Sequence, residues 1–183
     1  MKEESYDASA ELYDAAFQDM KVRDIEWGYV TDVLGKFAQQ HQRKPNIVEV
    51  GCGNGQMLRQ LFEEGYIESG VGFDASEKMV EIAGNRHDSI EPLSFALIEN
   101  SDLPFPDETV DVVMSFMSYR YLDWPALMAE VDRVLIDDGD FMMVDMAVTE
   151  LTEEDKPLYE ETRRRTQELH AKETEFADNL KKL

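Results

Sequence analysis

The stretch Asn46-Ile47-Val48-Glu49-Val50-Gly51-Cys52-Gly53-Asn54-Gly55-Gln56 decides the fold. Its first five residues are rich in β-branched side chains and are bounded by Pro45 and Gly51, which makes them a short strand. Residues 55 to 64 place Met57, Leu58, Leu61 and Phe62 on one face at helical spacing. Between strand and helix stand Gly51, Gly53 and Gly55. Glycines at alternate positions let a backbone turn tightly and approach a ligand closely. The helix start at about Gly55 offers N–H groups to negative or polar ligand atoms. A dinucleotide fingerprint, G-x-G-x-x-G, needs a third glycine where Gln56 stands, so a nicotinamide oxidoreductase is disfavoured.

Working outward, residues 7 to 20 and 23 to 40 read as helices. In the second, Ile25, Val30, Val33, Leu34 and Phe37 form the apolar face. Gly70 to Phe73 is a second strand. Ser76 caps a helix filled by Met79, Val80, Ile82 and Ala83. Leu93 to Ile98 is a third strand, and Val110 to Met117 a fourth, apolar enough to be buried on both faces. Pro125 to Leu135 is a helix with Leu127, Met128, Val131, Val134 and Leu135 inward. Phe141 to Met146 is a fifth strand, entered through a turn at Asp137-Asp138-Gly139. Alternating strands and helices predict an α/β fold: a doubly wound, mostly parallel sheet of about five strands, with N-terminal helices and a C-terminal helical tail. In such a sheet ligands bind at the carboxyl ends of the strands, near the point where strand order reverses. The loops after Val50, Phe73, Ile98 and Met117 are therefore the candidates.

The 183 residues make one domain of ordinary size. With 40 Asp plus Glu against 18 Lys plus Arg, the net charge of -22 disfavours nucleic acid and anionic membranes as partners. The single cysteine, Cys52, excludes a disulfide framework and fits a reducing, cytoplasmic setting. The histidines show no metal-ligand spacing. Residues 1–149 read as the ligand-binding domain, and 150–183 as a separate charged helical stretch. There Thr162, Leu169, Phe176 and Leu183 recur every seven residues as a thin apolar seam. One helix packed against the body satisfies this pattern, as does one that meets a second copy of the chain or a partner chain; both readings stay open.

Asp74 ends the second strand. An acid there can accept both hydroxyl hydrogens of a ribose; it can also cap the helix that begins near Ser76. Beside the glycine loop, the ribose reading is favoured.

These residues resemble the class I S-adenosylmethionine-dependent methyltransferases, most closely the small-molecule, ubiquinone/menaquinone-biosynthesis type. The resemblance runs from about Tyr6 to Asp145. It rests on five stretches in register: Tyr6-Asp7 with Ala10-Glu-Leu-Tyr13-Asp14; VEVGCGNGQ; GVGFDAS; Leu103-Pro-Phe-Pro-Asp-Glu-Thr-Val-Asp111; and Leu127 to Leu135. It implies S-adenosylmethionine as cofactor, S-adenosylhomocysteine as product, a small-molecule methyl acceptor and an N-terminal helical lid over residues 1–44. Glu49, Gly51, Cys52, Gly53 and Gly55 would line the methionine and ribose part of the cofactor. Asp74 would bind the ribose hydroxyls, with Ala75 or Ser76 along the adenosine. Glu99 or Asp102 would receive the adenine amino group, with Asn100 beside the ring. Ser115 and Phe116 would face the sulfonium end, and Tyr13 would close over the cofactor.

The resemblance departs at Arg120, where the family often has His, and after the fifth strand, where members usually add a helix and two strands. Methyl transfer from a sulfonium needs chiefly alignment of nucleophile, carbon and sulfur. A base for an acidic acceptor is not clearly named; Tyr119, Arg120, Tyr121 and Asp145 lie near the right strand ends. Two function classes follow: an active methyltransferase, or a methyltransferase-like binding subunit that acts through a partner.

Overall fold

The computed structural model describes residues 10–11, 14–15, 24–87, 91–98, 101–118 and 122–145, all within a compact unit that runs from Met1 to Asp145. Ala10, Glu11, Asp14 and Ala15 are helical. The rest of the helix expected over 7–20, and the tail 150–183, lie outside the described residues.

The elements run α1 (Asp24–His41), β1 (Asn46–Val50), α2 (Gln56–Glu63), β2 (Ser69–Asp74), α3 (Glu77–His87), β3 (Leu93–Leu97), β4 (Val110–Phe116), α4 (Trp124–Val134) and β5 (Leu135–Val144). The five strands pair in parallel in the order β3-β2-β1-β4-β5. The chain therefore steps outward from β1 to β3, returns, and continues from β4 on the other side of β1. The order reverses between β1 and β4, and the glycine loop leaves β1 at that point.

Strand periodicity sends neighbouring side chains to opposite faces. Ile47, Val112, Met114 and Met142 meet Val30, Leu34 and Phe37 of α1 and Met57, Leu58 and Leu61 of α2. Val48, Val50, Phe73 and Val113 meet Leu127, Val131 and Val134 of α4. Helices thus cover both faces, and burial of these apolar surfaces is the main favourable term for the fold. The apolar stripe of α1 is narrower than its sequence suggested: Ile25 is 86% exposed. Met128 of α4 is likewise exposed.

The fifth strand corrects the sequence reading. Helix α4 passes into β5 without a connecting turn, because Leu135 already has extended backbone (φ -67°, ψ 140°) and pairs with Val110. The next ladder partners are Val112 and Asp140, so residues 136–139 form an irregularity inside the strand. Gly139 belongs to that irregularity; a Cβ there would lie 2.9 Å from the Asp111 carbonyl oxygen.

Two charge clusters fix the amino ends of the strands. Asp111, 3% exposed at its side chain, accepts both guanidinium nitrogens of Arg43 and the backbone and side-chain N–H of Asn46. Burial alone would raise its carboxyl, but these donors hold it below the ordinary aspartate value. Arg133 of α4 donates to Glu130, to the carbonyls of Leu103 and Phe105 and to Asp107, while the Leu103 N–H donates to Glu130. The hydrogen bond from Arg133, then that from Leu103, brings the Glu130 carboxyl to about 2. Two of the five recurring stretches, Leu103–Asp111 and Leu127–Leu135, are therefore one physical unit.

Candidate cofactor-binding site

The loop 51–55 is built on left-handed backbone, with φ of 81° at Gly51, 53° at Gly53 and 75° at Gly55. The three glycines do different work. A Cβ on Gly51 would lie 2.3 Å from Cβ and Oγ of Ser118, so bareness there makes room for the protein itself. A Cβ on Gly53 would meet no protein atom within 4 Å, so bareness there borders open space. Gly55 is the N-cap of α2.

The loop amides turn inward rather than outward. Gly51 and Cys52 both donate to the Phe73 carbonyl at 2.7 and 2.9 Å, and Gly55 donates to Cys52. Gly53 donates to Asp74 Oδ2 at 2.8 Å. At the start of α2 the Gln56 N–H is taken by Asn54 Oδ1. The expected offer of helix N–H groups to a ligand is thus corrected at Gln56: a side chain of the loop accepts its donor.

Asp74 holds loop and helix together. Its Oδ1 accepts the Ser76 N–H at 2.9 Å while Oδ2 accepts that of Gly53. Ser76 in turn caps α3 through the Met79 N–H, as its position in the sequence suggested. Ala75 is exposed beside it. Of the two readings of Asp74, the capping one is corrected: Asp74 accepts the Ser76 N–H just before the helix, and the cap itself is Ser76.

Glu49 stands out electrostatically. It is 2% exposed, and its Oε2 is buried without a hydrogen-bond partner. Burial first, and the Asp74 charge second, push its carboxyl well above the ordinary glutamate value. Burial, Glu49 and Asp74 likewise push the Cys52 thiol up. Cys52 packs over Gly72, whose absent Cβ would lie 2.8 Å from Sγ, and is an inert small side chain.

At the tip of β4, Ser118 Oγ donates to the Val50 carbonyl at 2.9 Å and lies 2.9 Å from Ser115 Oγ. A hydroxyl has one hydrogen, so Ser115 donates to Ser118. Ser115 is fully buried in that pair, Phe116 is half-buried, and Met117 has a left-handed φ of 59°. Ser118, which the sequence reading did not single out, bridges β1 and β4 at the switch point. Asp145 directly follows β5, whose Val144 pairs with Phe116. Asp102 is exposed. Tyr13, Glu99, Asn100, Tyr119, Arg120 and Tyr121 lie outside the described residues. Among the described residues no cluster of three or more His, Cys, Asp or Glu is arranged to hold a metal ion.

A glycine loop at the β1–β4 switch point, an acid ending β2 and a buried acid on β1 stand at the carboxyl ends of a doubly wound sheet, the place where such folds bind their ligands. The family model described as a methyltransferase domain matches residues 48–143, more than half of the chain. The chain belongs to that family, and its sheet is the Rossmann-like methyltransferase fold. It is 29% identical over 157 residues to the mouse (Mus musculus) eEF1A lysine and N-terminal methyltransferase, covering 76% of this chain and 22% of that protein. It is 31% identical over 109 residues to the fatty-acid O-methyltransferase of Mycolicibacterium smegmatis, covering 59% of this chain and 39% of that one. The alignments thus span well under half the length of these curated relatives. A Haloferax volcanii putative methyltransferase, solved in complex with the Trm112 methyltransferase activator, superposes with a TM-score of 0.57 at 29% identity, over 74% of this chain and 57% of that one.

Proposed function

We propose that this protein is an S-adenosylmethionine-dependent methyltransferase with a small-molecule acceptor, of the kind its ubiquinone/menaquinone-type motifs suggest. The observation that carries the reading is the Glu49 carboxylate oxygen, buried without a partner beneath the glycine loop. An uncompensated carboxyl in that position fits a cationic ligand group, and the cofactor carries an ammonium on its methionine arm. Open space over Gly53 fits close approach of the same molecule.

Glu49 and the loop 51–55, Cys52 included, would hold the methionine arm. Asp74 would accept the ribose hydroxyls, with Ala75 and Ser76 along the adenosine. Glu99 and Asn100, or Asp102, would meet the adenine. Tyr13, Ser115 and Phe116 would enclose the reactive end. The bound cofactor supplies a methyl carbon already activated by its sulfonium. The work left to the chain is to align the acceptor in line with that carbon and to keep water away. Asp145 is the described candidate for taking a proton from the acceptor, with Tyr119, Arg120 and Tyr121 beside it in sequence.

Calorimetry with S-adenosylhomocysteine tests the reading. Micromolar binding that is lost in Asp74→Ala supports it, provided the variant keeps its fold by circular dichroism. Failure of the unmodified protein to bind overturns it. A panel of carboxylate and phenolic acceptors, run beside a lysine-bearing protein substrate, separates a small-molecule from a protein acceptor.

A second reading, partner-dependent activity, is favoured by the outer strand β3. Its residues Leu93–Leu97 include none that is buried, and Leu97 is 44% exposed. The Haloferax relative was solved with an activator subunit. Activity that appears only on adding a second protein would select this reading.

A further inference from the structure

We propose that Asp14 is a positioning residue tied to the glycine loop through Asn54 and to α3 through Arg86, and that cofactor retention depends on this double attachment. The inference rests on the cofactor reading above.

The geometry is specific. Asp14 Oδ1 accepts the side-chain N–H of Asn54 at 2.8 Å. The same carboxylate takes both guanidinium nitrogens of Arg86 in a forked pair. The pair is largely withdrawn from water, with side-chain exposures of 15% for Asp14 and 27% for Arg86. Burial alone would raise the Asp14 carboxyl, but Arg86 and Asn54 hold it below its ordinary value. Four residues earlier Ala10 is fully buried.

The two anchors lie on the glycine loop and on α3. Asn54 sits between Gly53 and Gly55, and its Oδ1 also accepts the first N–H of α2. Loss of Asp14 removes a partner that orients that amide plane. Arg86 belongs to the last turns of α3, the helix whose first turn is tied to Asp74 through Ser76. One carboxylate from the N-terminal segment thus joins the loop and the helix that flank Asp74. The three contacts span 40 and 72 residues of sequence and act on one carboxylate. Removing one anchor should therefore weaken the benefit of the other.

The test is calorimetry with S-adenosylhomocysteine on Asp14→Asn, Asn54→Ala, Arg86→Ala and the Asp14→Asn/Arg86→Ala double variant, with circular dichroism and thermal melting of each free protein. The expected result is a dissociation constant about tenfold higher in Asp14→Asn, the lower part of the range for coupled sites. The double variant should be no weaker than the worse single one. Asp14→Glu, which keeps the charge, should recover most of the affinity. If Asp14→Asn fails to fold, Arg86→Lys, which loses the fork but keeps the charge, carries the same expectation. Unchanged affinity in a folded variant, or losses that simply add, would overturn this role for Asp14 and leave the cofactor reading standing. Absence of binding by the unmodified protein would overturn both.

Discussion

The two ends of the sheet treat their carboxylates differently. At the amino ends Asp111 meets Arg43 and Asn46, and Glu130 meets Arg133; both carboxyls are held below their ordinary values by the donors that surround them. At the carboxyl ends Glu49 is as deeply buried as Asp111, yet the charge that acts on it is another carboxylate, Asp74, and burial together with that charge drives its carboxyl up. A buried charge is costly unless it is paired and hydrogen-bonded. At one end of the sheet these carboxylates are paired within the protein; at the other, Glu49 Oε2 is buried without a hydrogen-bond partner. That contrast locates function better than any single motif, because strain and incomplete pairing are what folding alone would remove.

The sharpest way to break the contrast is at the paired end. Arg43→Ala would leave the Asp111 carboxylate buried with Asn46 as its remaining donor. Removing one partner of a buried pair costs about 3–5 kcal/mol, and the half-exposed Arg43 argues for the lower figure, about 3 kcal/mol, read as a shift in the urea midpoint. A loss under about 1 kcal/mol would mean that Asp111 is hydrated, and the amino end would then be no better paired than the other.

The glycine loop offers the next comparison. Gly51→Ala drives a Cβ into Ser118 and forces an L residue to φ 81°; overpacking and left-handed strain together should cost about 2–3 kcal/mol. Gly53→Ala has the same left-handed strain without the collision, so about 1 kcal/mol is expected. Its effect on S-adenosylhomocysteine should be the larger of the two relative to its effect on stability, since the new methyl enters the space assigned to the cofactor. Equal urea midpoints for the two variants would show that Ser118 moves aside freely.

Much of this was legible in the sequence. Strand 46–50 is bounded as expected because Pro45 and Gly51 punctuate it, and Ser76 caps α3 because a helix start leaves N–H groups that a serine satisfies. The start of β5 was not legible. Asp137-Asp138-Gly139 has turn composition, but Leu135 is already paired with Val110, and the excess residues are absorbed within the ladder. At the candidate site, Gly51, Gly53, Gly55, Glu49 and Asp74 could be singled out because their signal is local: spacing after one strand and position at the end of the next. Ser118, Asn54, Asp14, Arg86 and Arg43 could not, since each acts on a group 40 or more residues away and nothing in its neighbours marks the partner. Long-range polar pairs are set by the topology, not by periodicity. Gly51 held one indirect sign, because a glycine at that position leaves room for whatever ends the fourth strand.

The smallest expected effect is also the most diagnostic, because its sign is opposite at the two ends. A carboxyl raised in the folded state binds its proton more tightly folded than unfolded. Glu49 thus contributes stability that is fully present below about pH 4.5, the unfolded value, and is lost as pH rises through its folded value. Asp111 and Asp14 are lowered, so their contributions are present above about pH 3.8 and are lost as pH falls through their folded values. Glu49→Gln, which keeps the shape and removes the titration, should therefore match the unmodified protein near pH 4 and be the more stable of the two near pH 8. Urea midpoints at the two pH values read this directly. The same carboxyl must ionise to meet a cationic ligand, so S-adenosylhomocysteine binding should release protons and its calorimetric enthalpy should vary with the ionisation enthalpy of the buffer. In Glu49→Gln that proton release should vanish and affinity should fall about tenfold, the loss of one charge-assisted contact. If Glu49→Gln is instead the less stable protein near pH 8, Glu49 is ionised and compensated within the fold, and the two ends of the sheet are alike.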